Sequence, residues 1–315
     1  MPDYIIALII GYAIDLLLGD PAWLLHPVVL IGRFISRMEK MVRRRFSRNL
    51  RIGAVLLTLS TVGVTCAVTG LILWVLSRLG RWPLLAGMAL IDWTGIAVTS
   101  MAREARGVRR ALGDGVEAGR KQVARIVGRD TQSLDAEEIV KATVETVAEN
   151  TTDGVISPLI YAAIGGPVLL YAFKAASTLD SMVGYLDEKY RDIGWSSARL
   201  DDVLNYIPAR ITAALMCLAA LIVRLDARNA LRIVRRDHRN HLSPNCAWSE
   251  AAAAGALHIQ LGGTHTYFGK TVVKPTIGDD DIPAAPEDIS RVNRLLYATA
   301  ALAVGAIALA GIIFG

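Results

Sequence analysis

The sequence predicts an all-α fold: a polytopic helical membrane protein with helical segments on the cytoplasmic side. Three observations predict it. Hydrophobic residues make up 53% of the 315-residue chain and charged residues only 20%, and the apolar residues gather in blocks instead of the stripes a soluble helix shows. From Ile52 to Ser77, from Gly154 to Phe173 and from Leu295 to Gly315 no side chain is charged. Each block matches the ~20 residues that cross a hydrocarbon core ~30 Å thick. Between the blocks, Arg33 to Arg51 carries eight Lys/Arg against the single acid Glu39, the charge bias of a cytoplasmic loop.

The expected spans follow in chain order. Residues 4–18 form a short apolar stretch interrupted by Asp15. The preceding Asp3 is acidic and no small-residue cleavage site follows, so it reads as a retained membrane segment and not a signal peptide. The basic run at 33–51 sits between apolar blocks, which favours a loop at the membrane surface over a nucleic-acid patch. Residues 53–77 then leave the cytoplasm, 78–81 turn outside, and 83–102, containing Asp92, return. Residues 103–153 form a cytoplasmic helical insertion in which charged side chains alternate with Val108, Leu112, Val116 and Val123 at helical spacing. Gly113 to Gly115 and Gly128 to Asp130 break it. Asp135 followed by Glu138 is an N-cap signature for a helix running to about Asn150. The remaining expected spans are 154–173, 205–223 (with Arg210 inside) and 295–314. Gly165-Gly166-Pro167 sits in the middle of 154–173, where it suits either a crossing or a re-entrant pair of half-helices, so the side occupied by 174–202 stays open. The three cysteines, Cys66, Cys217 and Cys246, are widely spaced and read as packing residues without a disulfide framework.

Four polar clusters interrupt this pattern. Asp15 lies inside the first apolar stretch, where an ionisable group is a functional candidate by default, and Asp20 and His26 follow just after it. Glu145 and Glu149 share one helix face, and Asp153 extends the spacing. Like charges at that distance repel unless a cation bridges them, and such a set suits Mg²⁺ bound with phosphates. Lys174, Asp180, Asp187, Tyr190, Arg199, Asp201 and Asp202 form a polar stretch between two apolar blocks. The last cluster combines His241 and Asn245 with Gly262-Gly263, Lys270 and Lys274. Gly263 to Thr271 resembles a phosphate-binding loop but has one residue too many and Tyr-Phe in its tight turn, so a P-loop is rejected. No hydrolase or zinc signature is present.

The ordered motifs DLLLGDP…HPVVLIGR, IVGRDT at 126–131, VETVAENTTDGVISPL at 144–159, KAASTLDSMVGY at 174–185, GWSSARLDD…IPAR at 194–210, SPN at 243–245, YFG at 267–269, KP at 274–275 and IGD at 277–279 resemble the CbiB/CobD family of cobalamin biosynthesis, the adenosylcobinamide-phosphate synthases. Ser177 and Thr152 depart from the expected Asn and Val. The resemblance implies a ligase of the cell (inner or plasma) membrane. It would join a propionate carboxyl of adenosylcobyric acid to the amino group of aminopropanol or aminopropanol phosphate, with ATP as co-substrate and Mg²⁺ as cofactor. On that basis Asp20, His26, Lys174 and Asp180 are expected to be catalytic. Arg199, Asp201, Asp202, Asn245, Lys270 and Lys274 are expected to bind substrate or phosphate, and Glu145, Glu149 and Asp153 the metal, with Asp180 beside them. The alternative is a non-catalytic corrinoid carrier or signalling protein on the same scaffold.

Overall fold

In the computed structural model every residue is described except Ala22, Leu186, Phe268, Gly269 and Gly315, and no side chain is described between 265 and 271. Helix α1 (Asp3–Leu18) stops at Gly19, whose φ of 60° is left-handed backbone that glycine adopts without a Cβ penalty. At 16 residues and 1.5 Å per residue, α1 is ~24 Å long. The chain re-enters helix as α2 (Pro27–Arg45), where the His26 Nδ1 accepts from the Val28 N–H at 3.2 Å and Pro27 occupies the first turn.

Helix α3 (Leu50–Arg78) shows which solvent surrounds it. It exposes Leu59, Leu71 and Trp74 and buries Thr58, Thr61 and Thr69, the reverse of a water-soluble helix. The Thr61 hydroxyl donates to the Leu57 carbonyl at 2.7 Å, so a small polar residue packs against neighbouring helices with its hydroxyl satisfied, as lipid-embedded helices require. Helix α4 (Arg81–Trp93) is followed by a turn and α5 (Val98–Gly113). The apolar stretch expected as one span over 83–102 is therefore broken at residues 94–97. Helices α6 (Val116–Val123) and α7 (Ala136–Asn150) follow. Asp135 caps α7 with a complete capping box: its side chain accepts from the Glu138 N–H at 2.8 Å, and Glu138 accepts from the Asp135 N–H at 2.9 Å.

A π-helical turn (Thr151–Ile156) joins α7 to α8 (Ser157–Val183). Within α8 the backbone leaves helix at Gly165 and Gly166, the latter at φ 63°, before Pro167 restarts it. The Gly-Gly-Pro break read from the sequence is thus present. Helix α9 (Trp195–Ile222) contains Pro208, which cannot donate to Leu204; the Tyr161 hydroxyl donates to that carbonyl at 2.9 Å instead. The chain continues through α10 (Ala227–Asp237), α11 (Cys246–Leu257), strands β1 (Leu261–Tyr267) and β2 (Lys270–Ile277), and α12 (Pro286–Ile313). The antiparallel β1–β2 hairpin is the one sheet among the described residues. Among the described residues five helical stretches are long and apolar enough to cross a membrane: Leu50–Arg78, Arg81–Gly113, Ala136–Val183, Trp195–Ile222 and Pro286–Ile313. The molecule is an all-α, multi-pass membrane protein.

The chain forms two compact units. Unit 1 comprises Met1–Ala97, Ser157–Asn205 and Ala306–Gly315; unit 2 comprises Val98–Ile156 and Tyr206–Gly305. In unit 1, α1 and α4 approach closely at Gly11, where a Cβ would lie 2.8 Å from the Ala89 carbonyl oxygen and 2.9 Å from the Trp93 nitrogen. In unit 2, Glu137 on α7 accepts from the Ala284 N–H at 3.4 Å, and Asn293 on α12 donates to the Ala102 carbonyl at 3.2 Å.

Candidate functional site

Unit 1 holds a pocket of about 280 Å³ whose lining sets Asp20, His26, Thr94 and Lys174 among Val28, Val29 and Ile96. The end of α1, the cap of α2, the turn after α4 and the middle of α8 each supply part of it. Three of the four residues expected to be catalytic therefore share one concavity. The His26 Nε2 lies 3.9 Å from the Asp20 Oδ1, too long for a hydrogen bond. Burial holds the His26 imidazole below its ordinary pKa and the Lys174 cation pushes the same way, against the raising effect of Asp20. A neutral ring whose Nδ1 accepts from Val28 carries its proton on Nε2, so His26 presents a donor to the pocket. The Trp93 indole, donating to the Gly19 carbonyl at 3.0 Å, ties the turn after α4 to the end of α1. The Thr94 and Tyr171 hydroxyls are hydrogen-bonded at 2.7 Å.

The fourth, Asp180, lies on α8 outside that pocket, its Oδ1 so close to Gly184 that a Cβ there would clash with it. Of the residues expected to bind substrate, Arg199 is exposed, and Asp201 accepts from the Asn205 amide at 3.0 Å. Asn205 in turn accepts from the Ser157 hydroxyl at 2.6 Å. Asp202 lies next to Asp201 on α9, partly exposed. The Lys270 side chain lies outside the described residues.

Unit 2 gathers the acidic expectations around α7 and α11. Glu145 is nearly enclosed and accepts from Arg129 at 2.7 Å through Oε2 and from the Gly262 N–H at 2.8 Å through Oε1. Glu149 accepts from the Cys246 thiol at 3.5 Å. Glu250 is buried, 5% exposed. Burial first, then the neighbouring Glu145 and Glu149, push its carboxyl well above the usual range, while Lys274 and Arg129 pull the other way. Burial, with Glu149, Asp153 and Glu250 close by, raises the Cys246 thiol well above its ordinary value, which keeps it a donor. Burial lowers His241 to about 4, helped by Lys274. Its Nδ1 accepts from the Ser243 N–H at 3.0 Å, as a neutral imidazole can. Three glutamates thus meet two cations, Arg129 and Lys274, and the mutual repulsion of the carboxylates adds to the burial that raises Glu250.

Sequence reading missed Glu250 and Arg129 as members of this cluster and took Cys246 for packing. Glu250 lies inside an alanine-rich helix (Ala251–Ala254), where a buried carboxyl is costly, and that was the available signal. Arg129 stands in the IVGRDT motif without any local mark of its partner, which is 16 residues away.

Among the described residues no group of three or more His, Cys, Asp or Glu side chains is arranged to enclose a metal ion, and Glu145 is engaged by Arg129 and Gly262. An all-protein cage does not fit. Mg²⁺ carried with phosphates needs one or two carboxylates and keeps its waters, and Glu149 and Asp153, both near the Cys246 thiol, fit that demand.

The family model described as CobD/Cbib protein matches residues 8–296. A "Cobalamin biosynthesis protein CobD" of Listeria monocytogenes is 49% identical over 295 residues, 93% of this chain and 94% of the relative. The protein of the same name from Geobacter metallireducens is 50% identical over 300 residues, 92% of each chain. A "Cobalamin biosynthesis protein CbiB" of Salmonella typhi is 46% identical over 306 residues, 95% of each chain. No solved structure matches the chain.

Proposed function

The chain belongs to the CobD/CbiB protein family, and from that membership we propose that it acts in cobalamin biosynthesis, in the cell membrane, as an ATP-dependent ligase. It joins a propionate carboxyl of adenosylcobyric acid to the amino group of aminopropanol or its phosphate. The observation that carries the reading is the enclosed set Glu145, Glu149 and Glu250 with Arg129 and Lys274, a site built for a highly charged group.

A carboxylate is a poor acyl donor. Its oxygen attacks the γ-phosphorus of ATP, releasing ADP and leaving an acyl phosphate; the amine then attacks the acyl carbon, expels phosphate and gives up its proton. In unit 2, Lys274 offsets charge on the phosphates, and Arg129 orients Glu145 with the Gly262 amide. Glu149 and Asp153 would hold Mg²⁺, which when bound with ATP offsets charge on the transferring phosphoryl group. In unit 1, Lys174 and the His26 Nε2–H hold an oxygen-bearing anionic group of the substrate, which leaves the amine lone pair free to attack, and Asp20 accepts the amine's proton.

The test is product analysis with detergent-purified protein, cobyric acid in its adenosyl form, aminopropanol phosphate and Mg-ATP. One new amide per ATP consumed is expected. Binding or vesicle uptake of the corrinoid without a new amide overturns the ligase reading in favour of a carrier or signalling protein. Glu149→Gln should lower turnover at least ~10²-fold with membrane insertion intact; unchanged Mg²⁺ dependence in that variant counts against the metal role.

A further inference from the structure

Arg210 stands on α9 immediately before Ile211–Ile222, a stretch without a charged side chain. A guanidinium at the edge of such a stretch is expensive unless something neutralises it, and such residues mark ligand paths. No carboxylate of the described residues pairs with Arg210. Its Nη1 donates to the Tyr206 carbonyl at 2.5 Å and to the Asn245 Oδ1 at 3.5 Å. Its Cζ lies 3.5 Å from the Tyr206 ring centroid and 4.7 Å from that of Trp248, and Trp248 packs against His238 with ring centroids 4.4 Å apart at a tilt of 38°. A carbonyl, an amide and two π faces fix the fork in place and leave its charge uncompensated. The Nε and Nη2 donors make no hydrogen bond among the described residues. Asn245 is 5% exposed, and the next residue, Cys246, carries the thiol that donates to Glu149. The guanidinium thus reaches the start of α11, at the residue that precedes Cys246.

We infer that Arg210 is a phosphate-recognising residue at the start of α11, holding a phosphate ester through its preorganised planar fork. The anion chemistry rests on the geometry of Arg210; its assignment to a substrate of amide ligation rests on the reading proposed above. Two substrates of that reaction carry phosphate, the nucleotide and the phosphorylated amine, and the same fork suits either.

The experiment uses the full chain in detergent, titrated with tripolyphosphate and, separately, with O-phosphoethanolamine, and reads affinity by calorimetry. In Arg210→Gln at least one probe is expected to bind 10-fold or more weakly, with Arg210→Lys intermediate because the charge stays and the planar fork is lost. Loss confined to tripolyphosphate assigns the nucleotide, and loss confined to O-phosphoethanolamine assigns the amine. Unchanged affinity for both probes in Arg210→Gln, or no binding of either by the native protein, overturns the inference. If Arg210→Gln does not fold, Arg210→Lys decides: at least 3-fold weaker binding supports the fork and unchanged binding rejects it. None of these readouts needs turnover. A protein that makes no amide but depends on Arg210 for phosphate binding keeps this inference and loses the ligase reading.

Discussion

Arg129 and Glu145 form a pair with only 5% and 13% of their side chains exposed. Attraction between such charges barely offsets the cost of removing them from water, but deleting one partner leaves the other buried and uncompensated. Arg129→Ala should therefore destabilise unit 2 by about 3–5 kcal/mol, read as a lowered unfolding midpoint in detergent. The double substitution Arg129→Met with Glu145→Leu should recover most of that loss while removing activity. His241 contributes a pH dependence of known sign. Its folded pKa of about 4 lies below the ordinary 6.5, so the unfolded chain takes up the proton first and stability falls as pH drops from about 7 towards 4. By pH 5.5 the loss is about 1 kcal/mol. His241→Asn, which keeps an acceptor for the Ser243 N–H, should flatten the change in unfolding free energy between pH 7.5 and 5.5; an unaltered slope would count against it.

Elements were legible where their signals are local. The capping box at Asp135 and Glu138 and the glycine breaks that end α5 and precede α6 follow from the conformations those side chains favour within a few residues. The Gly-Gly-Pro break in α8 is local in the same sense. Two features were not legible. The turn at residues 94–97 interrupts an apolar stretch, yet Thr94-Gly95 is too short a signal to outweigh the surrounding hydropathy. The β1–β2 hairpin has Gly262 and Gly263 at φ 77° and 97°, which its mixed polar sequence did not distinguish from a loop. Contact between α1 and α4 is set at Gly11. Gly11→Val would drive side-chain atoms into the α4 backbone and should cost about 1–3 kcal/mol, seen as a lower unfolding midpoint, whereas Gly63→Val, on a face with open space, should leave it unchanged.

For the whole molecule, the decisive property is apolar residues facing outward. Exposed Leu59, Leu71, Leu218, Leu221 and Ile312 have no aqueous rationale at this density. The protein should stay in the membrane pellet after alkaline carbonate washing and leave it only with detergent. In intact membranes Cys66 and Cys217, in the apolar lengths of α3 and α9, should resist a membrane-impermeant maleimide; labelling of both without detergent would contradict the spans.

The sequence by itself determined the solvent of this protein, the existence of its long helices and their caps, and the motifs through which it resembles its family, because hydropathy and backbone preference act over one or two turns. Only the tertiary structure decided which polar residues meet. Asp20, His26 and Lys174 come from three separate elements to line one pocket in unit 1, while Asp180 stays outside it. Glu145 joins Arg129 and the Gly262 amide, and Glu250 and Cys246 join Glu149. These encounters bridge separations of up to 154 residues, from Asp20 to Lys174, and they arise because a buried charge must find a partner wherever the packing of helices brings one.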